Sequence, residues 1–569
     1  MAKRGFFKKN ILGIHTDMDA CAVLISNGKL LDAVQEERFS RIKLQEGFPK
    51  KAIGYILEKN KLKPGDIDIV AYGWLSGDAG SAMIPYLIER TFEEGCDLKK
   101  IKIICERFRK EYEKDIDIRK NTLEPLLNLG FPSEKIFYIE HHLSHAWSAF
   151  ATSPFSKSLI ITADGRGDFK SVTACIGDYK GINMIDYLST LDSLGHLYSQ
   201  VTFFLGFKPN RHEGKITGLA AYGNPELAKP LMERLVCWKN DNIFSNVGEF
   251  YKPYDTDLSP ELRNEFSKYK PEDLAAAVQS HVENLLVLWI KKQLKKVDCK
   301  NISLAGGVFA NIKINQKIRE IDGVENVYIQ PAMNDAGTAL GAAAAALFKE
   351  TGQIKLGMPT VCLGPEYSEK EISLELSKFP NLVSKLIDEM PKTVSLLLQE
   401  HKVIGLFQGR MEFGPRSLGY RSIIFHTADS DAKDCLNRRF DRTEFMPFAP
   451  AIMEELANEC LEGWKKNHTT AEFMTMSYSV KKEFWNDNPA VTHVDGTTRP
   501  QIVVRKHSPL FHLILDQYYK DTGMKAIINT SFNRHEEPIV CTPSDAFCLL
   551  ERGVVDVLAI GNFLVTNKE

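Results

Sequence analysis

One hairpin plan occurs twice in this chain, and it limits the possible folds more than any other feature. The apolar run 11–14 leads through an Asp-containing turn to the run 22–25, then to Asn27-Gly28 and Leu30-Leu31. Short apolar runs punctuated by Asn-Gly read as strands joined by tight turns. About 150 residues later the run 159–164 (LIITAD) repeats the plan, with a turn at 165–168, a strand at 172–176, a further turn and a strand. A duplicated hairpin predicts two similar lobes facing each other across a cleft.

The rest of the first half fits that plan. The run 301–307 (NISLAGG) reads as a strand ending in Gly306 and Gly307, followed by a helix over 309–318 that includes Asn311. Glycines at a strand-to-helix turn let the backbone approach a ligand where a Cβ would block it. Beside a duplicated hairpin, this is how actin-like ATPases hold adenosine and phosphates. The stretch 336–346 (AGTALGAAAAA) reads as a small-residue helix able to pack closely on a neighbour. The most apolar helix candidate, 274–294, holds Gln279, His281, Glu283 and Asn284, so it reads as a core helix and not a membrane span.

At 569 residues the chain exceeds what one hydrophobic core serves. The Gly- and Pro-rich stretch 355–368 (KLGMPTVCLGPEYS) reads as the link between a domain at 1–355 and another at 356–569. Past it a different pattern runs: a helix at 394–400, a strand at 403–407, a basic turn at 408–416 and a strand at 526–528. The class is α/β, mixed α+β overall.

A net charge of -2 and a pI near 6.7 give no global basic field for nucleic acid or an anionic membrane. The 11 cysteines are scattered without a CxxC pair, the usage of a reducing cytosol. The basic start Met1-Ala2-Lys3-Arg4 is followed only by the short run 11–14, broken at His15 and Asp17, which does not read as a signal peptide. A cytoplasmic location is expected. No GxxxxGK[ST] motif occurs, so any nucleotide site must use another architecture.

Three groups of residues suggest chemistry. In 141–146 (HHLSHA), His141 and His145 stand four apart and would share one helix face, able to hold one metal through two imidazoles. Asp164 closes an apolar strand, and Asp335, in 331–337 (PAMNDAG), sits at a turn opening a helix. Two histidines with two carboxylates suit a divalent metal acting as a Lewis acid. The stretch 409–421 (GRMEFGPRSLGYR) gathers Arg410, Arg416 and Arg421 around Glu412, a pattern that suits phosphate oxygens or a plain surface loop. Arg442, Arg499 and the polar run 529–533 (NTSFN) after an apolar strand complete the set.

The motifs HHLSHA, DGRGD, EGKITGLAAYG, LAGGVFAN, MNDAGTALGAA, GRMEFGPRSLGYRSI, TEFMPFAP and NTSFNRHEEPIV occur in this order. In them the chain resembles the NodU/tobramycin-carbamoyltransferase family of O-carbamoyltransferases over nearly its whole length. The resemblance implies an N-terminal actin-like ATPase domain, similar to the universal tRNA threonylcarbamoyl-transfer protein, and a C-terminal YrdC-like domain. It implies that carbamoyl phosphate and ATP give a carbamoyl adenylate in the second domain. The carbamoyl group then passes to an acceptor hydroxyl in the first, near a divalent metal, iron(II), with Mg(II) compatible with the nucleotide.

Matched by position, His141, His145, Asp164 and Asp335 are the implied metal and transfer residues. Lys43, in 36–43 (EERFSRIK), is implied to contact the nucleotide, with Gly306, Gly307 and Asn311 also on the cofactor side. Arg416, Arg499, Ser531 and Asn533 are implied parts of the carbamoyl phosphate and adenylate pocket, Arg416 with a catalytic part. The chain departs from the family at Met18-Asp19, where a His-Asp pair is usual and His15 lies nearby, at Arg442-Thr443-Glu444, and at Glu536.

The expected partner is a small hydroxyl-bearing acceptor, a sugar or natural product, with a homodimer allowed and no nucleic acid or membrane. Other readings stay open: a nucleotide-regulated actin-like binding protein, or transfer to a protein or tRNA. A sugar kinase would leave the second domain unexplained. The hydrogenase-maturation carbamoyltransferase would bring an acylphosphatase domain and CxxC zinc fingers, which this sequence lacks.

Overall fold

The computed structural model describes residues 9–75, 80–95, 97–254, 256–358, 360–441 and 445–568. The basic run 1–4 and Arg442-Thr443-Glu444 lie outside the described residues. The chain forms two compact units, one of Met1–Leu31 with Glu46–Gly357, the other of Asp32–Gln45 with Met358–Glu569.

In the first unit, strands β1 (Asn10–His15) and β2 (Cys21–Ser26) pair antiparallel, with Ile11 opposite Ile25 and Ile14 opposite Ala22. With β3 (Lys29–Gln35), β4 (Ile69–Tyr72) and β5 (Ile136–Tyr138) they make a sheet of order β3-β2-β1-β4-β5, in which β4 runs parallel to β1 and β5 to β4. A second sheet repeats this order. Strands β6 (Ser158–Gly167), β7 (Lys170–Asp178), β8 (Gly181–Ser189), β9 (Asn301–Ala305) and β10 (Asn326–Ile329) lie as β10-β9-β6-β7-β8. Here too the first strand is central, antiparallel to its hairpin partner on one side and parallel to β9 on the other. The duplication read from two hairpins therefore extends to all five strands of each sheet.

Two helices fill the space between the sheets. Helix α1 (His141–Thr152) packs on β6, β7 and β9, helix α2 (Ala336–Thr351) packs on β1, β2 and β4, and the two pack on each other. On one side Ile11, Ile25 and Ala71 meet Ala342, Ala343, Ala346 and Leu347. On the other, Ile160, Cys175 and Ala305 meet Ala146, Ala149 and Phe150. Alanine and serine on α1 and alanine and glycine on α2 let the helix axes approach closely, which brings the start of α2 beside the first turn of α1. The core-helix reading of the apolar stretch holds: the helix Pro271–Leu294 buries Gln279 and His281 along with its apolar side chains. Among the described residues, no helix is long and apolar enough to cross a membrane.

The second unit is built on one eight-stranded, mostly antiparallel sheet. Its strands are β11 (Leu382–Leu386), β12 (Ile404–Phe407), β13 (Arg421–Phe425), β14 (Ala449–Met453), β15 (Gln501–Val503), β16 (Ala526–Ser531), β17 (Val557–Ile560) and β18 (Phe563–Asn567). They lie in the order β11-β18-β17-β12-β13-β16-β14-β15, with β12 parallel to β17 and β14 parallel to β15.

Asp32–Gln45, which the sequence division at 355 leaves with the first domain, belongs to this unit. Its Arg38 is buried and donates to Gly414 O at 2.9 Å, and Arg41 donates to Ile539 O at 2.7 Å and Pro538 O at 2.9 Å. Ala33 N–H donates to Leu363 O at 3.2 Å.

Candidate active site

Helix α1 opens on the two histidines because its N-terminus is capped by carboxylates. Glu140 accepts from His142 N at 3.2 Å and Leu143 N at 2.8 Å, while Asp168 accepts from His141 N at 2.8 Å. A side-chain cap contributes on the order of 1 kcal/mol and fixes where the helix starts. One turn apart, His141 and His145 face the same way, their ring centroids 4.7 Å apart, and the Trp74 indole meets the His141 ring edge-on at 4.4 Å. His142 points elsewhere: its Nδ1 lies 2.7 Å from Thr162 Oγ1, and burial pushes its pKa down to about 3.

Both predicted carboxylates reach the histidine pair. His145 Nε2 lies 3.3 Å from Asp164 Oδ2 and 3.4 Å from Asp335 Oδ1, and His141 Nε2 lies 3.6 Å from Asp335 Oδ1. Asp164 does not close its strand as the sequence suggests. It sits inside β6, where the pairing with β7 shifts register between Ala163 and Gly167. A bulge of this kind re-aims a side chain without ending the strand. Two backbone amides then hold the carboxylate: Gly165 N–H donates to Oδ1 at 2.7 Å and Gly307 N–H to Oδ2 at 2.9 Å. Gly306 has φ +108, and a Cβ there would fall 2.2 Å from Ala163 O, so the turn that presents the Gly307 amide requires glycine. Asp335 occupies the N-cap position of α2 but makes no capping hydrogen bond with its side chain, which is turned to the histidines instead.

His15, at the end of β1, is a member of the cluster that the spacing arguments did not select. Its Nε2 lies 3.8 Å from Asp335 Oδ2 and its Nδ1 2.9 Å from Thr338 Oγ1. The Thr338 hydroxyl donates to Asp335 O at 2.7 Å, so it accepts from His15 Nδ1–H. That leaves a lone pair on His15 Nε2 facing a carboxylate.

Within the cluster the two histidines of α1 are shifted in opposite directions. Burial would lower the pKa of His145, but the carboxylates of Asp164 and Asp335 outweigh it and raise the pKa to about 9. Burial lowers that of His141 well below the usual imidazole range, and the neighbouring histidines add to this. Burial raises Asp335, reinforced by the charge on Asp164. Asp164 is held low against its burial by His145, His141 and the Gly307 amide.

Both ring nitrogens of His141 and of His145, together with Asp335 Oδ1, are buried without a hydrogen bond. Each such atom costs about 1–3 kcal/mol if nothing satisfies it. One ligand atom from each of His141, His145, Asp164 and Asp335 lies within 4.8 Å of the others. Two imidazoles and two carboxylates around one point fit a divalent transition-metal ion.

Other residues singled out by sequence are placed differently. The Asn311 side chain caps the helix Ile312–Arg319, accepting from Lys313 N at 3.1 Å and Ile314 N at 3.3 Å, and donates to Gln279 at 2.8 Å and Thr217 at 3.2 Å. It is thus engaged in the frame of the fold. In the second unit, Glu412 Oε1 gathers the amides of Leu418, Tyr420 and Arg421 at 2.7, 3.0 and 3.2 Å, which shapes the 409–421 turn. Arg421 is fully buried over the Phe407 ring and donates to the carbonyls of Gln408, Gly409, Tyr420 and Pro365. Arg410 donates to Asp32 Oδ1 at 2.7 Å and to the Gly364 carbonyl at 3.2 Å.

Two of the three guanidiniums of this turn are thus engaged within the unit, Arg421 with carbonyls of the turn and of Pro365, and Arg410 with Asp32 and Gly364. Arg416 and Arg499 are both half-buried. Lys43 lies 3.7 Å from Glu37 in the Asp32–Gln45 segment of the same unit. Ser531 ends β16, and Asn533 closes the turn after it by donating to Arg534 O at 2.8 Å and Glu537 O at 2.7 Å.

Two family profiles match the chain. The family profile described as carbamoyltransferase N-terminus matches residues 10–344, and that described as carbamoyltransferase C-terminus matches residues 395–567. The chain is 32% identical to nodulation protein NolNO of Sinorhizobium fredii, over 97% of this chain and 79% of that protein. It is 31% identical to the uncharacterized protein MJ1051 of Methanocaldococcus jannaschii, over 98% of this chain and 99% of that one.

Among solved structures, full-length HypF in its phosphate- and nucleotide-bound form is 15% identical, with a TM-score of 0.32 over 61% of this chain and 56% of that one. The (R)-2-hydroxyglutaryl-CoA dehydratase component A of Acidaminococcus fermentans is 16% identical, with a TM-score of 0.32 over 59% of this chain and 96% of that one. With both family profiles matched in order and nearly the whole of this chain aligned to each relative, the chain belongs to the carbamoyltransferase family and is a carbamoyltransferase.

Proposed function

We propose that this carbamoyltransferase uses ATP to move a carbamoyl group from carbamoyl phosphate to a hydroxyl of a small molecule, a sugar or a glycosylated metabolite. Carbamoyl phosphate first loses inorganic phosphate to water and leaves carbamate. A carbamate oxygen then attacks the α-phosphorus of ATP, the bond to the β-phosphate oxygen breaks, and pyrophosphate departs from carbamoyl adenylate. In the second step the acceptor oxygen bonds to the carbamoyl carbon, AMP leaves and the hydroxyl proton is released. We assign the first step to the second unit, as a YrdC-like domain, and the second step to the first unit, as an actin-like domain.

Bringing carbamate to a triphosphate crowds negative charge, and Arg416, Arg499 and Lys43 are the groups we assign to offset it. In the first unit, Gly165 and Gly307 orient Asp164, Trp74 braces His141, and Thr338 sets the tautomer of His15. His141, His145, Asp164 and Asp335 would hold a divalent cation, which we take to be iron(II), and when bound it would supply Lewis acidity toward the carbamoyl carbonyl. The observation that carries this reading is the set of buried imidazole nitrogens without hydrogen bonds, turned toward two carboxylates.

The test is incubation with carbamoyl phosphate, ATP and pooled small metabolites, read by mass spectrometry. The reading expects a product heavier by about 43 Da, one carbamoyl replacing one hydrogen, and only when both co-substrates are present. Such a product formed without ATP would refute ATP dependence.

A further inference from the structure

A second cluster of metal-binding character lies in the second unit. His401 follows the helix Met390–Gln399 in a turn, with φ +57. His426 follows β13 directly, and Asp429 comes three residues later. His401 comes from a different element than the other two, yet the two imidazoles lie with ring centroids 4.0 Å apart at 48°. Asp429 Oδ2 lies 3.3 Å from His401 Nδ1 and 3.4 Å from His426 Nε2, so both rings turn a nitrogen to the same carboxylate oxygen.

The His426 ring is only 2% exposed, and its Nε2 is buried without a hydrogen bond. Next to it, Thr427 Oγ1 lies within hydrogen-bond distance of Asn488 Oδ1, at 2.6 Å, and of Ala526 O, at 3.1 Å, its one hydrogen shared between them.

We propose that His401, His426 and Asp429 form a second metal site, suited to zinc(II) or a similar borderline divalent ion. Two imidazole nitrogens and one carboxylate oxygen, each within 4.8 Å of the others, can close around one ion with modest side-chain movement. His401 and Asp429 are both more than half exposed, so a fourth position faces solvent and can take water. An ion there fastens the turn after the helix Met390–Gln399 to the end of β13, and it acts as a clip on the second unit. This site shares no residue with the cluster in the first unit, and its occupancy does not depend on the proposed acceptor chemistry.

The test uses the full chain, stripped with chelator and titrated with zinc(II) alone against a chromophoric competitor. The exposed positions give the variants, His401→Ala and Asp429→Asn, which leave the buried His426 in place. Loss of a ligand is expected to weaken one class of zinc site on the order of 100-fold or more. In the His141→Ala background, one zinc equivalent should remain, and adding His401→Ala should remove it. Cobalt(II) in place of zinc should give a four-coordinate visible spectrum in the His141→Ala background that vanishes with Asp429→Asn. Zinc affinity and stoichiometry unchanged by His401→Ala and by Asp429→Asn would overturn the proposal. Failure of the first cluster would look different, as an equivalent insensitive to His141→Ala but lost with His401→Ala.

Discussion

Gly341 of α2 approaches Ser144 of α1 so closely that a Cβ on it would fall 1.7 Å from the Ser144 carbonyl oxygen. This contact sets how far Asp335, at the start of α2, stands from the two histidines of α1. Gly341→Ala should therefore push the helices apart and cost about 1–3 kcal/mol of stability, the usual penalty of overpacking. The same variant should bind metal more weakly, because one carboxylate withdraws from the pair of imidazoles. Thermal unfolding and metal content measured together check this, and an unchanged melting temperature would contradict it.

The histidines give a second prediction. His141→Ala and His145→Ala each remove a ligand from the first cluster, so each should lower its iron(II) content far below one equivalent and abolish carbamoyl transfer. Elemental analysis after iron(II) loading, with free metal removed, is the measurement. A full equivalent at this cluster in both variants would refute the assignment.

The arginines of the 409–421 turn should separate into two behaviours. Arg416→Ala should keep its melting temperature yet lose carbamoyl phosphate-dependent pyrophosphate release, an effect of about 2–5 kcal/mol where a guanidinium is paired with phosphate. Arg421→Ala should do the reverse at the level of the fold, since it strands buried backbone carbonyls at about 1–3 kcal/mol each. Circular dichroism melts beside a pyrophosphate assay distinguish them. Equal melting temperatures for Arg421→Ala and wild type would show that the inward guanidinium is dispensable.

What could be read from the sequence follows from how local each signal is. The duplicated hairpins were legible because strand alternation and Asn-Gly turns are written within a few residues. The pairing of His141 with His145 was legible because helix periodicity alone puts them on one face. Asp164 and Asp335 were legible as polar residues out of place, but the bulge that aims Asp164 depends on its pairing with β7 and has no local signature.

His15 reaches the cluster only because β1 and α2 pack together, with Thr338 as its partner. The inward turn of Arg421 hinges on the stacking of Phe407 and on carbonyls of three separate segments, so composition alone made it look like a phosphate ligand. The membership of Asp32–Gln45 in the second unit rests on hydrogen bonds such as Arg38 to Gly414, whose partners are almost four hundred positions away. A signal did exist there: three basic residues and two glutamates in EERFSRIK, of which Glu36, Glu37 and Arg38 are buried, need partners from elsewhere.

In the proposed division of labour, transfer occurs at the histidine cluster while the activated carbamoyl group is made in the second unit. The most direct measurement is pyrophosphate release and product formation by His145→Ala in one reaction with ATP, carbamoyl phosphate and acceptor. The variant should release pyrophosphate near the wild-type rate and give no carbamoylated product. A folded His145→Ala protein that releases no pyrophosphate would contradict it, since both steps would then depend on the same cluster.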